Sequence, residues 1–398
     1  MLRAWRIFAI CALHFFLSQL YRTTNAVLSP WLITDLALDT ESLGLLSAVF
    51  FYAFALTQIP LTLWLDRVGA KRMMVACAVL GLAGALLFSL SRGLAEGVAG
   101  RLLLGVGMAC NLMGPLKLLA AWFSPAVFAT VSGLLYAAGT LGNVAAATPL
   151  VLLVEHVGWR AALQAVALLH LLALLALVLG VPADRPEGKA AGSGGMRLLT
   201  RLIRSRDYWI LSGSTFVRYG THAALQTLWA GPFLMEALGF RPREAGHILL
   251  ALNAGVIAGA PLWGVVADRV FRTPKWVVCC GLLGLAAAGA ALRALGPGGG
   301  VAAAGALFFA YGLFSSSGWQ VYSHAKALFP REMAGAAMSG VNFFTMLGPA
   351  VFLQGIGLFL QGAFPEDPRG VAAFRGALLL CVFCQAAIGG LYAATRTR

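Results

Sequence analysis

The sequence contains little charge. Asp, Glu, Lys and Arg make up 11% of its 398 residues, 60% are hydrophobic, and the mean hydropathy is +0.83. Because a soluble domain carries about 25% charged residues, this composition indicates a polytopic membrane protein. The chain also lacks a Walker-type phosphate loop, paired catalytic carboxylates and a Ser/His/Asp arrangement. It is therefore not expected to be an enzyme or an ATP-driven pump.

Cysteine is scarce as well, and all seven copies lie in apolar runs. They have neither metal-site spacing nor a disulfide pattern, so we interpret them as small core residues. His14, His222 and His324 are too dispersed to indicate a metal. No metal and no cofactor are expected.

Twelve apolar stretches are long enough to span a membrane. Numbered as spans 1 to 12, they cover residues 5–32, 42–65, 73–91, 94–122, 127–154, 159–181, 208–233, 244–267, 276–294, 300–325, 334–362 and 371–394. Span 1 is too long for a signal peptide and is expected to be retained. With both termini in the cytoplasm, eighteen of the 29 Lys and Arg residues fall inside, seven outside and four within spans. This asymmetry obeys the positive-inside rule, so the net charge of +14 reflects topology and not nucleic-acid binding.

The chain is predicted to consist of two six-helix bundles, 1–183 and 207–398, joined by a cytoplasmic linker at 184–206 that is rich in Gly, Ser and basic residues. An ungapped repeat relates them at an offset of 202, which places Pro30 on Pro232 and Gly44 on Gly246. The same offset places the pair Asp66-Arg67 on Asp268-Arg269. A constant offset with matching topology indicates duplication, the architecture of transporters with a midplane site.

Two motifs carry a family resemblance. "TLWLDRVGAKR" follows span 2 and "RLLLGVG" lies in span 4. With them the chain resembles the major facilitator superfamily over essentially its full length, although Thr62 stands where glycine is usual. The resemblance implies an all-α fold of twelve transmembrane helices in two parallel repeats, with rocker-switch alternating access and a central cavity lined by spans 1 and 7. Span 5 reads "GTLGNVAAATP" and lacks the G-P-x-x-G-G run of proton-driven drug antiporters.

The charged loop after span 2 and its copy after span 8 are predicted to act as a cytoplasmic gate. A carboxylate there can complement a helix N-terminus, and glycine permits the tight turn. The alternative is that these charges only set topology. The predicted gating residues are Asp66, Arg67, Gly69, Arg72, Arg101, Asp268 and Arg269.

No carboxylate lies in the middle of a span, although the chain has fifteen acidic residues. A site for cations, or a proton relay through a buried Asp or Glu, normally needs one. Exchange of anions or uniport is therefore favoured over symport coupled through Asp or Glu. Co-transport of a cation whose binding depends on the substrate's charge stays open.

Arginine, in contrast, does occur inside spans. Arg22 belongs to a polar stripe on span 1, and Arg218 belongs to one on span 7. Two guanidinium groups facing one cavity would bind carboxylate or phosphate oxygens. The offset of 202 pairs Arg22 with Ala224, so the two arginines differ in depth by about 9 Å. The alternative is that each arginine bonds backbone carbonyls at a helix break.

These features predict a secondary transporter of a small organic anion in the inner (plasma) membrane, acting as a monomer in contact with lipid. An arginine in each of spans 1 and 7 is similar to the organophosphate antiporters and organic-anion symporters of the superfamily. Export of amphipathic compounds is the main alternative, and a non-transporting receptor is another. Lys117 could bind substrate, or its side chain could extend to the cytoplasmic membrane surface, and the sequence favours neither role. The predicted substrate-binding residues are Arg22, Arg218, Tyr21, Asn25, Tyr219, His222, Gln226, Trp319, Gln320 and Lys117.

Overall fold

A computed structural model describes residues 2–182 and 201–396. These residues are helical with short connections and contain no strand, and ten of their helices are long and apolar enough to cross a membrane. The chain divides into two compact units, Met1–Ala190 and Ala191–Arg398. Most of the predicted linker, up to residue 200, lies outside the described residues.

The first unit is built from helices in chain order. They are α1 (Leu2–Thr23), α2 (Asn25–Asp35), α3 (Thr40–Val68), α4 (Ala70–Ser89), α5 (Leu94–Met108), α6 (Met113–Trp122), α7 (Pro125–Ala145) and α8 (Thr148–Gly180).

Several predicted spans of this unit are interrupted. Span 1 breaks at Thr24, and span 4 breaks at 109–112 between α5 and α6. Spans 5 and 6 meet within α8, where Gly158 has φ 79° and ψ 160°. Because only glycine adopts this conformation readily, Gly158 marks the boundary that hydropathy placed between residues 154 and 159.

The second unit continues the series with short irregular turns between helices. It contains α9 (Arg206–Ala224), a π-helix (Leu225–Trp229), α10 (Ala230–Pro232), a second π-helix (Phe233–Ala237), α11 (Pro242–Val265), a third π-helix (Val266–Phe271), α12 (Pro274–Leu292), α13 (Val301–Ser315), a 3₁₀ turn (Ser316–Trp319), α14 (Gln320–Leu328), α15 (Arg331–Ala363) and α16 (Val371–Ala393).

Interruptions recur at equivalent positions of the two units. Span 7 contains the first π-helix and ends where the second begins, and span 10 is broken by the 3₁₀ turn. Spans 1 and 7 are repeat equivalents, as are spans 4 and 10. Irregular turns of this kind accompany functional sites in helices, and broken spans place backbone groups at transporter binding sites. Spans 1, 4, 7 and 10 are therefore candidates for the functional site.

Small residues bring the helices of each unit close together. In the first unit, a Cβ atom on Gly84 would meet the backbone of Leu104. In the second, a Cβ atom on Gly255 would meet the backbone of Phe309. Glycine at such positions lets membrane helices approach closely. In each unit this packs a broken span, span 4 or span 10, against a neighbouring helix.

Candidate functional site

A buried arginine binds the end of the first helix. Arg101 of α5 is 1% exposed, and its Nη1 donates a hydrogen bond to the carbonyl oxygen of Tyr21 at 2.8 Å. Tyr21 lies among the last four residues of α1, whose carbonyls have no partner within the helix. The guanidinium carbon also lies 4.8 Å from the ring centre of Phe50 and 5.7 Å from that of Phe88. Arg101 thus connects the break in span 1 to α5.

The second unit contains a comparable contact. Arg218 of α9 is 7% exposed, and its Nη1 donates to the carbonyl oxygen of Ser315 at 2.8 Å. Ser315 is the last residue of α13, directly before the 3₁₀ turn. A Cβ atom on Gly318 would overlap the Arg218 guanidinium, so the absence of a side chain at Gly318 allows the arginine to lie against this turn.

The two contacts join equivalent spans in opposite directions. In the first unit the arginine is on span 4 and its acceptor on span 1, whereas in the second unit the arginine is on span 7 and its acceptor on span 10. By contact, the counterpart of Arg218 is therefore Arg101 and not Arg22. Among the described residues, Nε and Nη2 of Arg101 and Nε of Arg218 have no hydrogen-bond partner. Each guanidinium thus has donor capacity left for an oxyanion.

Arg22 and its neighbours make different contacts. Arg22 is 6% exposed, with its guanidinium carbon 5.0 Å from the ring centre of Phe54 and 5.7 Å from that of Phe51. Asn25 donates from Nδ2 to Oγ of Ser47 at 2.8 Å. The polar stripe predicted on span 1 therefore packs in part against α3.

Aromatic rings surround the next turn of α9. The His222 ring stacks between Tyr219 and Tyr311, at centre distances of 6.3 Å and 6.2 Å. Gln226 lies in the first π-helix and donates from Nε2 to Oδ1 of Asn253 at 2.9 Å. These contacts hold the predicted site residues of span 7 in place.

The remaining predicted binding residues lie nearer the ends of helices. Trp319 is 53% exposed at the end of the 3₁₀ turn, and Gln320 beside it is partly buried. Lys117 donates from Nζ to the carbonyl oxygen of Leu65 at 3.2 Å. Leu65 is in the last turn of α3, so this contact is that of a helix cap.

Sequence reasoning missed a polar group beside Arg218. Tyr322 interacts electrostatically with Arg218, and its hydroxyl lies 3.0 Å from Oδ1 of Asn342 and 3.2 Å from Oγ1 of Thr345. Tyr322 follows Gly318 by one helical turn in "SSSGWQVYSH". That spacing was the available signal, because it places the phenol on the face that carries Gly318.

Charge pairing occurs at the helix ends. Ion pairs join Arg160 to Asp35, Arg369 to Glu236 at 3.2 Å, and Arg396 to Asp207 at 3.7 Å. Hydrogen bonds from Trp159 and Arg160 lower the pKa of the Asp35 carboxyl, whereas burial raises the pKa of Glu236 against the opposing effect of Arg369. Within residues 2–182 and 201–396, no ion pair reaches Arg101 or Arg218.

The predicted gating residues lie largely at the surface. Gly69, with φ 94°, forms the junction of α3 and α4. The exposed ones are Arg67, Arg72, Asp268 and Arg269. The side chain of Asp66 lies outside what the structure describes. Their role in gating stays a prediction.

Residues 10–353 match the family model described as Major Facilitator Superfamily. The chain is 28% identical over 240 residues to the nitrite extrusion protein of Bacillus subtilis, covering 59% of this chain and 58% of that protein. It is 24% identical over 289 residues to the probable sulfoacetate transporter SauU of Cupriavidus necator, covering 67% of this chain and 65% of that protein. A third relative, the gentisate transporter of Corynebacterium glutamicum, is 27% identical over 278 residues, covering 63% and 58%. The matches thus span 58% to 65% of these relatives' lengths.

The fold is similar to that of a solved transporter. A bacterial homologue of the human lysosomal transporter Spinster superposes with a TM-score of 0.81 at 17% sequence identity, covering 98% of this chain and 96% of that chain. At this identity the likeness concerns the fold alone.

Proposed function

The chain belongs to the major facilitator superfamily, and on that premise we propose that it is a secondary active transporter of a small organic anion bearing a carboxylate or phosphate. It works by rocker-switch alternating access, through exchange or ion coupling, in the inner (plasma) membrane with both termini in the cytoplasm. It acts as a monomer in contact with lipid and needs no cofactor.

The observation that carries this proposal is the state of Arg218. Its Nη1 is held by the Ser315 carbonyl, while Nε has no partner among the described residues and no described carboxylate pairs with it. A buried guanidinium without an acid is costly unless another anion offsets its charge. A carboxylate or phosphate can accept from the free edge of the guanidinium in charge-assisted hydrogen bonds. The substrate thereby supplies the missing negative charge.

The named relatives support the same class of substrate. Their names refer to nitrite, sulfoacetate and gentisate, which are anions of different size. Arg218 provides the positive charge that complements the negative charge of such substrates. The rings of Tyr219 and His222 and the Tyr322–Asn342 pair then bind the rest of the molecule and set selectivity.

The test is counterflow in proteoliposomes loaded with a panel of carboxylates and organophosphates. The variants are Arg218→Gln, Arg218→Lys and, as a matched control, Arg92→Gln at an exposed arginine. Since a hydrogen bond to a charged group contributes about 1.5–3 kcal/mol, R218Q should lower apparent affinity at least about tenfold. R218K should lose less, and R92Q should behave as wild type.

Thermal-shift measurements on the purified protein distinguish the alternative. Stabilisation by carboxylates or phosphates supports an anion transporter. Stabilisation by lipophilic cations alone, together with unchanged anion counterflow in R218Q, would replace this proposal with export of amphipathic compounds.

A further inference from the structure

The first unit contains a buried cluster of polar rings that the proposed function does not use. His170 of α8 is 0% exposed, and neither of its ring nitrogens has a hydrogen-bond partner among the described residues. The ring of His14 lies 6.3 Å from it and that of Tyr21 lies 5.8 Å from it, centre to centre. The Tyr21 hydroxyl likewise has no partner within the described chain.

The protonation state of His14 follows from its hydrogen bond. Its Nε2 lies 3.1 Å from the carbonyl oxygen of Ala173. A carbonyl can only accept, so the ring carries its hydrogen on Nε2 when it is neutral. Nδ1 then keeps its lone pair, and in the described residues it has no partner. Two basic nitrogens, one on His14 and one on His170, are therefore buried in one cluster.

Among the described residues, no acidic side chain contacts His14 or His170. Helices α1, α2, α4 and α7 pack against α8. Their titratable or charged residues are Arg3, Arg6, Cys11, His14, Tyr21, Arg22, Asp35, Lys71, Arg72, Cys77 and Tyr136. The one acid, Asp35, is at the end of α2 and pairs with Arg160. From α5, Arg101 reaches the Tyr21 carbonyl.

The second unit has a non-titrating counterpart of His170. "RAALQAVALLH" from Arg160 and "RGALLLCVFCQ" from Arg375 align at an offset of 215, with His170 on Gln385. The alignment has a structural basis: Nη2 of Arg160 donates to the carbonyl of Ser91, and Nη2 of Arg375 donates to that of Leu295. Each acceptor lies just past the end of a long helix, α4 or α12.

Gln385 forms defined hydrogen bonds where His170 has none. Its Nε2 donates to Oγ1 of Thr221 at 2.8 Å and to the hydroxyl of Tyr311 at 3.2 Å. The Gln385 amide thus joins α16 to α9 and α13 without a titratable group. A histidine adds a titratable ring, and among the described residues neither ring nitrogen of His170 has a hydrogen-bond partner.

We propose that His14 and His170 form the proton-binding site that couples transport in this chain, which rests on the proposed function. One proton binds to a lone pair of an imidazole, the other imidazole shares it through a hydrogen bond or a water molecule, and no bond other than N–H forms or breaks. One proton crosses with each anion, so the transported pair carries one negative charge fewer than the anion alone. The site provides proton coupling without a membrane carboxylate.

The experiment compares two modes of transport in the same proteoliposomes. Counterflow measures anion exchange without net proton movement, while an inward proton gradient measures coupling. For one proton per anion, a gradient of about one pH unit supports about tenfold accumulation. The test variant is His170→Gln, which copies the residue of the second unit. The matched control is His156→Gln, at an exposed histidine of α8 before the break at Gly158.

The expected result is a split between the two modes. H170Q keeps counterflow and loses the roughly tenfold accumulation, whereas H156Q keeps both. Full gradient-driven accumulation by H170Q would overturn the inference, and so would a wild-type protein that exchanges anions but ignores the proton gradient. Failure of wild-type counterflow with every anion would instead overturn the proposed function itself, and the coupling inference with it.

A second measurement needs no variant. Liposomes loaded with the pH dye pyranine report proton entry when a transported anion is added outside. Acidification of the lumen that follows anion uptake supports the site, and anion uptake without acidification overturns it. This measurement tests whether protons enter with the anion even if the H170Q protein does not fold.

Discussion

Nη1 of Arg101 donates to the carbonyl oxygen of Tyr21 at 2.8 Å, which places a buried cation at the C-terminal end of α1. A helix carries about half a negative charge at that end. Arg218 has the same relation to the C-terminal end of α13 through Ser315. Part of each positive charge is therefore balanced by a helix end, which makes burial tolerable while leaving the charge incompletely neutralised for an anion.

Replacing Arg101 with glutamine should lower both stability and transport. The variant loses a charged hydrogen bond of about 1.5–3 kcal/mol at the break in span 1. Thermal unfolding in detergent, followed by tryptophan fluorescence, measures the first effect and counterflow measures the second. The control is R92Q. Equal melting temperatures of R101Q and R92Q would contradict a structural role for this contact.

Gly318→Ala should displace the Arg218 guanidinium by direct overlap. A Cβ atom at Gly318 would overlap the guanidinium, so the guanidinium must move from the position in which it donates to the Ser315 carbonyl. We expect a loss of anion affinity approaching that of R218Q, about tenfold or more. Gly355→Ala is the control, because a Cβ atom there meets nothing within 4 Å. Equal counterflow in both alanine variants would argue against the position assigned to Arg218.

Lys117→Met distinguishes helix capping from substrate binding. If the role of the ammonium is to donate to the Leu65 carbonyl, the variant should lose about 1 kcal/mol in the free energy of unfolding. Its affinity for anions should stay unchanged. Thermal unfolding and the concentration dependence of counterflow measure the two quantities. A fall in affinity without a fall in melting temperature would assign Lys117 to the substrate.

The Asp35 carboxyl should make stability depend on acid pH. Its pKa is lowered by hydrogen bonds from Trp159 and Arg160, so the contribution is complete above the unfolded pKa of about 3.9 and is lost as pH falls through the folded value. Because the pair is exposed, its size should be about 1 kcal/mol or less. Melting temperatures of wild type and Asp35→Asn should differ by a constant amount above pH 5 and converge in acid. A difference that grows in acid would contradict this assignment.

The sequence predicted the helices well but not where they break. Hydropathy located the spans, since apolar length is set by the bilayer. The break at Thr24 and the π-helix at Leu225–Trp229 coincide with side-chain contacts that join residues far apart in the chain, Arg101 with Tyr21 and Gln226 with Asn253. Local propensity contains no record of such contacts.

The duplication was informative about architecture and less so about the site. A single offset of 202 paired Arg22 with Ala224, and this left Arg101 without a predicted relation to Arg218. His170 was missed because a lone histidine in "VALLHLLALL" is typical of a packed core. The comparison with Gln385 at an offset of 215 contained the signal, since insertions had changed the register between the repeats.

Gly158 is the non-helical residue inside α8, and it alone separates the helical segment 148–157 from the helical segment 159–180. Trp159 follows immediately, and its indole N–H donates to the Asp35 carboxylate at 2.8 Å. A tilt of the segment 148–157 is therefore expected to reach the segment 159–180 through one residue, and the end of α2 through the Trp159–Asp35 hydrogen bond. We therefore expect α8 to bend at Gly158, with this single residue as its hinge.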